Sequence, residues 1–286
     1  MQNGKNIKGL ALEGGAMRGL FTAGILDVLM ENGITFDKAA GVSAGAAFGC
    51  NYKSHQAGRA LRYNLKYASN WHYKSWRSLI FTGDLYGADF CYHKLPDELD
   101  IFDKKAFAED SLEFYAVATD ITTGKPVYHL LTDGSDEDLE WIRASASMPL
   151  ASKIVDINGQ LLLDGGITDS IPLEFLEKKG CTRTLVILTQ PVTYTKHQYK
   201  YFRGISAALH KHPALVEALR NRPAMYNAQT AYVKVREDEG SALVLRPPHA
   251  LNIKPLEKDP SELNRVYNTG RELAEEKLSE IIEFLG

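Results

Sequence analysis

The hydrophobic pattern switches between two periods along most of the chain. Ile7–Leu12 is a short apolar run of the kind that forms a buried strand, and Leu20, Ala23, Leu26 and Leu29 then recur at helical spacing. The same switch follows at once, with Ile34–Val42 reading as a strand and Ala44–Tyr52 as a helix of small residues. Further strands are predicted at Leu112–Thr119, Pro126–Leu131, Lys153–Ile157, Leu161–Leu163, Arg183–Thr189 and Ala242–Leu245, and helices at Glu137–Ala146, Pro172–Lys179, Ile205–Arg220 and Ser261–Leu285. Strands interleaved with helices predict an α/β fold with added helical segments. In the last helix Leu263, Val266, Gly270, Leu273, Ile281 and Leu285 share one face with charges between them, a stripe that faces a core rather than a membrane. Pro191–Arg203 breaks the pattern after a strand and reads as a loop. No repeat or low-complexity tract interrupts the chain. The expected organisation is one domain over residues 1–286, with a motif-bearing core at about 5–190 and a helical C-terminal extension at about 191–286.

The chemistry concentrates where these strands end. Gly41, Ser43 and Gly45 form a G-x-S-x-G pattern between strand and helix, the spacing of a nucleophile elbow, where flanking glycines let the chain turn sharply enough to expose the serine. Upstream, Gly14-Gly15-Ala16-Met17-Arg18-Gly19 follows the first strand. Three functional readings compete for that turn. A P-loop needs Lys-Ser or Lys-Thr after its last glycine, but Leu20 and Phe21 stand there. A dinucleotide fingerprint needs a glycine where Ala16 stands. The elimination favours an oxyanion hole, with backbone N–H groups aimed at developing negative charge, beside the plain alternative of a tight strand–helix turn. Asp164 ends a strand before Gly165 and Gly166. It reads either as a carboxylate delivered to the strand ends, where α/β sites form, or as an Asp-Gly turn. Asp120, in Asp120-Ile121-Thr122-Thr123-Gly124, reads as a strand-ending turn and is the next carboxylate to consider.

These blocks resemble those of the patatin-like phospholipase family. Gly14, Gly15, Met17, Arg18 and Gly19 match its glycine-rich G-G-G-x-R/K-G block, with Ala16 in place of the third glycine. Gly41, Ser43 and Gly45 match its G-x-S-x-G, and Asp164, Gly165 and Gly166 match its D-G-G/A. Ala144-Ser145-Ala146-Ser147-Met148-Pro149 is similar to its A-S-x-A-x-P, with Ser147 where an alanine is usual. All four stand in the family's order across residues 10–170, and the last hundred or so residues match no motif. The resemblance implies a three-layer α/β/α fold with a mainly parallel sheet, as in related acyltransferases and lysophospholipases. It implies a catalytic dyad of Ser43 and Asp164 without histidine, and lipid or acyl-ester substrates. Arg18 would orient the loop or meet a substrate phosphate. Related acyltransferases place a histidine before the serine, where this chain has Val42. His55, His72, His93 and His129 stand in no recognisable triad context and read as structural or surface residues, although a triad assembled in space stays open. A transacylase or thioesterase would share every motif, and a non-catalytic lipid-binding protein would share the fold.

Composition narrows the partners. With 33 basic and 36 acidic side chains the formal charge is −3, which gives no electrostatic case for nucleic acid. No apolar run is long enough for a transmembrane segment, and the polar start Met1–Gly9 lacks a signal-peptide core, so a cytoplasmic protein is expected. Cys50, Cys91 and Cys181 suit reduced core thiols, and nothing calls for a metal or cofactor. Two stretches could touch lipid. Tyr67–Phe81 mixes Tyr67, Trp71, Tyr73, Trp76 and Phe81 with Lys74 and Arg77, suiting a membrane interface or an acyl-entry lip, beside the plainer reading of an ordinary helix packing its aromatics inward. Lys196, Lys200, Arg203, Lys211, Arg220 and Arg222 form a basic cluster that reads as a solvated face.

Overall fold

The computed structural model describes residues 6–286; Met1–Lys5, which hold the head of the polar start and the first residue of the expected core, lie outside the described residues. Alternation within the strands decides the layering. In β1 (Lys8–Leu12), Leu10 and Leu12 face one way and Ala11 the other, and all three are fully buried. A strand buried on both faces needs helices on both. On one face α1 (Gly19–Glu31), α2 (Ala44–Lys53), α6 (Asp136–Ser145) and α10 (Pro260–Glu276) close over Leu10, Leu12, Phe114 and Ile187. On the other, α7 (Leu173–Lys178) and α9 (Pro213–Asp238) close over Ala11, Val42, Val117 and Val186.

The sheet has a parallel block and an antiparallel edge. β1 lies between β2 (Lys38–Val42) and β7 (Arg183–Ile187). Outside them lie β3 (Glu113–Asp120) and β8 (Ala242–Leu245), all parallel. β4 (Lys125–Leu131) and β6 (Gln160–Asp164) both run antiparallel to β3, and β5 (Val155–Ile157) antiparallel to β6. A strand has two edges. β4 covers one edge of β3 from Phe114 to Asp120, so β2 and β6 must share the other. β2 pairs with β3 up to Val42 opposite Val117, and β6 takes over with Asp164 opposite Ala118. Two oppositely directed strands therefore end head to head on one edge of β3, with Ser43 leaving one tip and Asp164 forming the other.

Elsewhere the structure trims or divides the expected elements. The strand expected from Ile34 starts at Lys38, because Gly33 turns at φ +63° and the Ile34 N–H returns to the Leu29 carbonyl to close α1. The helix expected at Ile205–Arg220 becomes α8 (Phe202–Ala208) and α9, broken ahead of Pro213, which disfavours helical backbone at His212. The helix expected at Ser261–Leu285 divides at Lys277 into α10 and α11 (Leu278–Leu285). Three helical segments between β2 and β3 have no counterpart in the expectations, α3 (Arg59–Tyr67), a π-helical stretch Phe90–Leu99 and α5 (Lys104–Glu109), while the helix considered for Tyr67–Phe81 forms only as α4 (Trp76–Thr82).

The apolar stripe of the C-terminal helix does face the core. α10 crosses α1 so closely that a Cβ on Gly270 would land on the Phe21 carbonyl oxygen, and one on Gly24 on that of Tyr267. Beside the crossing the Tyr267 hydroxyl donates to Asp27 at 2.5 Å, and Arg271 forks onto Glu31 at 2.7 and 2.8 Å.

Candidate active site

Ser43 joins β2 to α2 with its backbone bent to φ +56°, ψ −120°. A serine enters that region only where its surroundings hold it, against a strain of about 1–3 kcal/mol. Close packing does so here. A Cβ at Gly41 would lie 2.7 Å from the Ala46 nitrogen, and one at Gly45 would lie 2.5 Å from the Leu12 carbonyl oxygen. The Ser43 N–H donates to Oγ of the buried Ser145 at 2.9 Å, and its carbonyl accepts the Ala46 and Ala47 N–H groups that open α2.

Asp164 is held as firmly. Its N–H donates to the Ser147 carbonyl at 2.7 Å and its carbonyl accepts the Thr119 hydroxyl at 2.9 Å. Its Oδ1 accepts the Gly166 N–H at 2.8 Å, and the Ser43 hydroxyl lies near enough to the same carboxyl to favour its ionised form. The block Ala144–Pro149, whose role the sequence left blank, thus anchors both residues, Ser145 the serine and Ser147 the aspartate. Burial pushes the Asp164 carboxyl above its usual range. The Arg222 charge, the Ser43 hydroxyl, the Gly166 N–H and the Lys196 charge pull it part of the way back.

The glycine-rich turn lies against this pair. A Cβ at Gly14 would sit 2.8 Å from Ser43 Cβ. Gly15 is extended, Ala16 takes φ +48°, and a short 3-10 turn over Ala16–Arg18 leads into α1 at Gly19. Ala16 therefore occupies a left-handed position that a glycine would fill without strain. Among the described residues no acceptor takes the N–H of Gly15 or Ala16. The first N–H of α2, at Ala44, is likewise free by position. Behind the turn, the Thr189 hydroxyl donates to the Gly14 carbonyl at 3.0 Å, and the buried Glu13 accepts the Thr189 N–H at 2.6 Å and the Tyr226 hydroxyl at 2.9 Å. Lys74 is fully buried with Nζ 3.1 Å from Sδ of Met17, and burial brings its pKa down to about 8.

An apolar cavity of about 120 Å³ opens beside Ser43, Ala16 and Met17. Phe48, Tyr63, Tyr73, Tyr92, Leu95, Leu139 and Ile142 line it, so the serine stands at the mouth of a space shaped for hydrocarbon.

Residues 10–176 match the family model described as patatin-like phospholipase.

The chain belongs to the patatin-like phospholipase family.

Membership places it among esterases and phospholipases. Residues 212–286 match a second model, a domain of unknown function, DUF6363. The Escherichia coli K12 protein YjjU is 29% identical over 272 residues, covering 92% of this chain and 74% of that protein. Lysophospholipase nte1 of Aspergillus oryzae is 29% identical over 184 residues, but the match covers 60% of this chain and only 11% of the fungal protein. A Caenorhabditis elegans patatin-like phospholipase domain-containing protein, ZK370.4, is 27% identical over 180 residues, covering 61% of this chain and 13% of the worm protein. VipD from Legionella pneumophila superposes over 96% of this chain and 67% of its own, with a TM-score of 0.49 and 13% identity.

Other sequence candidates fall away from the centre. No histidine ring pairs with Ser43 or Asp164 among the described residues: His55 meets Asp110, His93 meets Glu140, and His129 meets Asp138 while stacking on Trp141. Asp120 serves its turn, accepting the Thr122 N–H at 2.7 Å. The three cysteines are free, two of them buried. The stretch Tyr67–Phe81 divides its residues. Tyr73 and Lys74 point inward, while Trp76, Ile80 and Phe81 of α4 are 68–79% exposed. Among the described residues no helix is long and apolar enough to cross a membrane.

The basic cluster is not one solvated face. Lys200, Arg203, Lys211 and Arg220 are exposed, but Lys196 and Arg222 turn toward the site and are half-buried. Arg222 Nε donates to the Gly166 carbonyl at 2.6 Å. Further along α9, Tyr226 reaches Glu13 and Gln229 reaches Asp169 at 2.6 Å. Arg222, Tyr226 and Gln229 are four and three residues apart, a polar stripe on one helix face. That spacing was the available signal, and it was lost because the predicted helix ended at Arg220.

Proposed function

We propose that this protein is a serine acyl hydrolase that cleaves carboxylic esters of lipids or phospholipids with a Ser43–Asp164 dyad. The observation that carries the reading is the head-to-head meeting of β2 and β6, which sets a strained, half-buried serine against a buried carboxylate at the mouth of an apolar cavity. Ser43 Oγ attacks the ester carbonyl while its proton passes to Asp164. The N–H groups of Gly15, Ala16 and Ala44 receive the oxyanion. Collapse expels the alcohol, which takes the proton from Asp164 and leaves an acyl-enzyme. Water then attacks with Asp164 again as base. The apolar cavity takes the acyl chain.

The lip of the cavity supports work at a lipid surface. Leu85, Met148 and Ala151 line the cavity, and the residues that follow α4 are tied to the segment 148–154 by Leu85 N–H to the Ala151 carbonyl and Lys153 N–H to Asp84, each at 2.8 Å. Beside these ties, Trp76, Ile80 and Phe81 of α4 and Leu150 of the segment are half or more exposed, with Arg77 over the Trp71 ring at 4.5 Å. Aromatics beside a cation suit the membrane interface. The protein then acts from the cytoplasm as a peripheral visitor to the bilayer. Residues 191–286 work with the core as one domain, since α9 and α10 supply side chains to the site and to the core.

The test is a panel of lipid esters with a fluorophosphonate probe. The probe should label Ser43 alone. Ser43→Ala and Asp164→Asn should each lose activity by several orders of magnitude while remaining folded. A single histidine substitution that silences the enzyme while Asp164→Asn stays active would replace the dyad with a triad.

A further inference from the structure

The cavity lies on the sheet face covered by α2 and α6, and it does not account for the charge on the α9 side of the site. Three cations converge there. Lys196 Nζ stands 4.2 Å over the Tyr226 ring, and its loop is clipped to α9 by reciprocal hydrogen bonds between the Lys196 backbone and the Asn227 side chain at 2.9 and 3.0 Å. Arg222 spends Nε on the Gly166 carbonyl and Nη1 on the Tyr199 hydroxyl, leaving Nη2 without a protein acceptor among the described residues. Arg18 Nε is buried with no partner at all. None of the three forms an ion pair with a carboxylate among the described residues. The carboxyls that feel them, Glu13 and Asp164, are both pushed up by burial, so at most two reluctant negative charges face three cations. Lys196 shows the imbalance: burial and then the Arg222 charge bring it down to about 8. Free donors on mutually repelling cations, beside a nucleophile, are the makings of an anion site.

We propose that Arg18, Lys196 and Arg222 form a phosphate subsite, which holds the head-group phosphate of a phospholipid or lysophospholipid while the acyl chain occupies the apolar cavity. This rests on the acyl-hydrolase reading above and narrows it to esters whose alcohol carries a phosphate. Lys196 and Arg222 lie beyond the residues matched by the patatin-like model, so the C-terminal part of the chain supplies the selectivity.

The test needs no turnover. Ser43→Ala is titrated by calorimetry with 1-palmitoyl lysophosphatidic acid and with 1-palmitoylglycerol, which share the acyl chain. The phosphorylated ligand should bind more tightly by on the order of tenfold to a hundredfold, the range that charge-assisted bonds to phosphate supply. Adding Lys196→Gln should remove most of that difference and Lys196→Arg should keep it. Inorganic phosphate should compete with the first ligand only. Arg222→Gln also disturbs Gly166, so Lys196 carries the decision, with melting temperature as the check on folding. Equal binding of the two ligands, or a preference that survives Lys196→Gln, overturns the subsite. Palmitoyl coenzyme A binding more tightly than the lysolipid overturns the assignment to a lipid head group. Failure of the probe to label Ser43 in the wild type would sink the hydrolase reading while leaving this titration able to decide the subsite.

Discussion

Gly15 offers the sharpest test of how the loop is built. Its φ of −179° is extended backbone that any residue adopts, so a substitution there is judged on space alone. A Cβ would lie 2.7 Å from Thr189 Oγ1, 3.1 Å from Thr189 Cβ and 3.2 Å from Arg18 Cβ, all inside normal contact. Thr189 is not free to swing away. Its hydroxyl donates to the Gly14 carbonyl and its N–H is held by Glu13. Gly15→Ala must therefore break the Thr189–Gly14 bond, worth about 0.5–1.5 kcal/mol, or tilt the turn. A tilt draws the Gly15 and Ala16 donors off the oxyanion, and losing one such donor costs about 2.7–4 kcal/mol of transition-state stabilisation, roughly 10²–10³ in kcat. We expect Gly15→Ala to lower kcat on p-nitrophenyl butyrate by about a hundredfold and Gly15→Val by more, with KM little changed. Overpacking of about 1–3 kcal/mol should lower Tm by only several degrees. Thr189→Ala removes the nearest clashing atom and should restore part of the rate to Gly15→Ala. Wild-type kcat in Gly15→Val would refute the oxyanion assignment. Calorimetric binding of ATP or NAD that depends on Gly15 would return a nucleotide-binding reading of the loop.

Three further expectations follow from the same packing and charges. Gly270→Ala should lower Tm, because the Phe21 carbonyl occupies the new Cβ position; an exposed helix would gain about 1 kcal/mol from that change, so a higher Tm on thermal melting contradicts the α1–α10 crossing. Burial raises the Asp164 carboxyl, so the stability this group carries is complete below the ordinary carboxylate range and is lost as pH rises through the raised value. Asp164→Asn should then gain Tm over wild type at pH 8 and little at pH 4, while wild-type kcat/KM should fall on acidification through a pKa above the ordinary range; the opposite Tm order would mean the carboxylate is stabilised rather than strained. Replacing Trp76 and Phe81 with serine should weaken binding to lipid vesicles in a flotation assay by about tenfold or more, at about 1.5–3 kcal/mol per fully inserted side chain, with hydrolysis of a dissolved short-chain ester retained. Unchanged flotation would rule out α4 as the contact.

The local parts of the site were legible and its assembly was not. Gly41, Ser43 and Gly45 announce a sharp turn because only small flanks fit it, and Asp164 announces a strand end because two glycines follow. Nothing local says that the two tips meet. That depends on β6 running antiparallel on the β3 edge that β2 vacates, which brings residues 43 and 164 together from distant parts of the chain. Three helical segments between β2 and β3 were missed for a related reason. Tyr63, Tyr73 and Phe90 pack on one another around the cavity, so their apolar positions follow a tertiary cluster rather than a clean helical period. The charged residues misled most. Lys196 and Arg222 look like their exposed neighbours in sequence, and only the docking of α9 against Gly166 and Glu13 separates them.

That docking bears on how the proposed dyad would work without histidine. A carboxylate that must take a serine proton is a poor base at its ordinary pKa, and burial is what strengthens Asp164. Arg222 and Lys196 work against this, since each favours the ionised form. Before substrate binds they offset part of the rise that burial imposes on Asp164. A phosphate bound between them would cancel much of their field, and the proton affinity of Asp164 would rise at the moment an ester carbonyl reaches Ser43. Under the proposed function the same cations would favour the ionised base before substrate arrives and, once masked by phosphate, let it accept a proton. A neutral ester would leave them unmasked and meet a weaker base, so selectivity for phosphate-bearing lipids would appear in kcat as well as in binding.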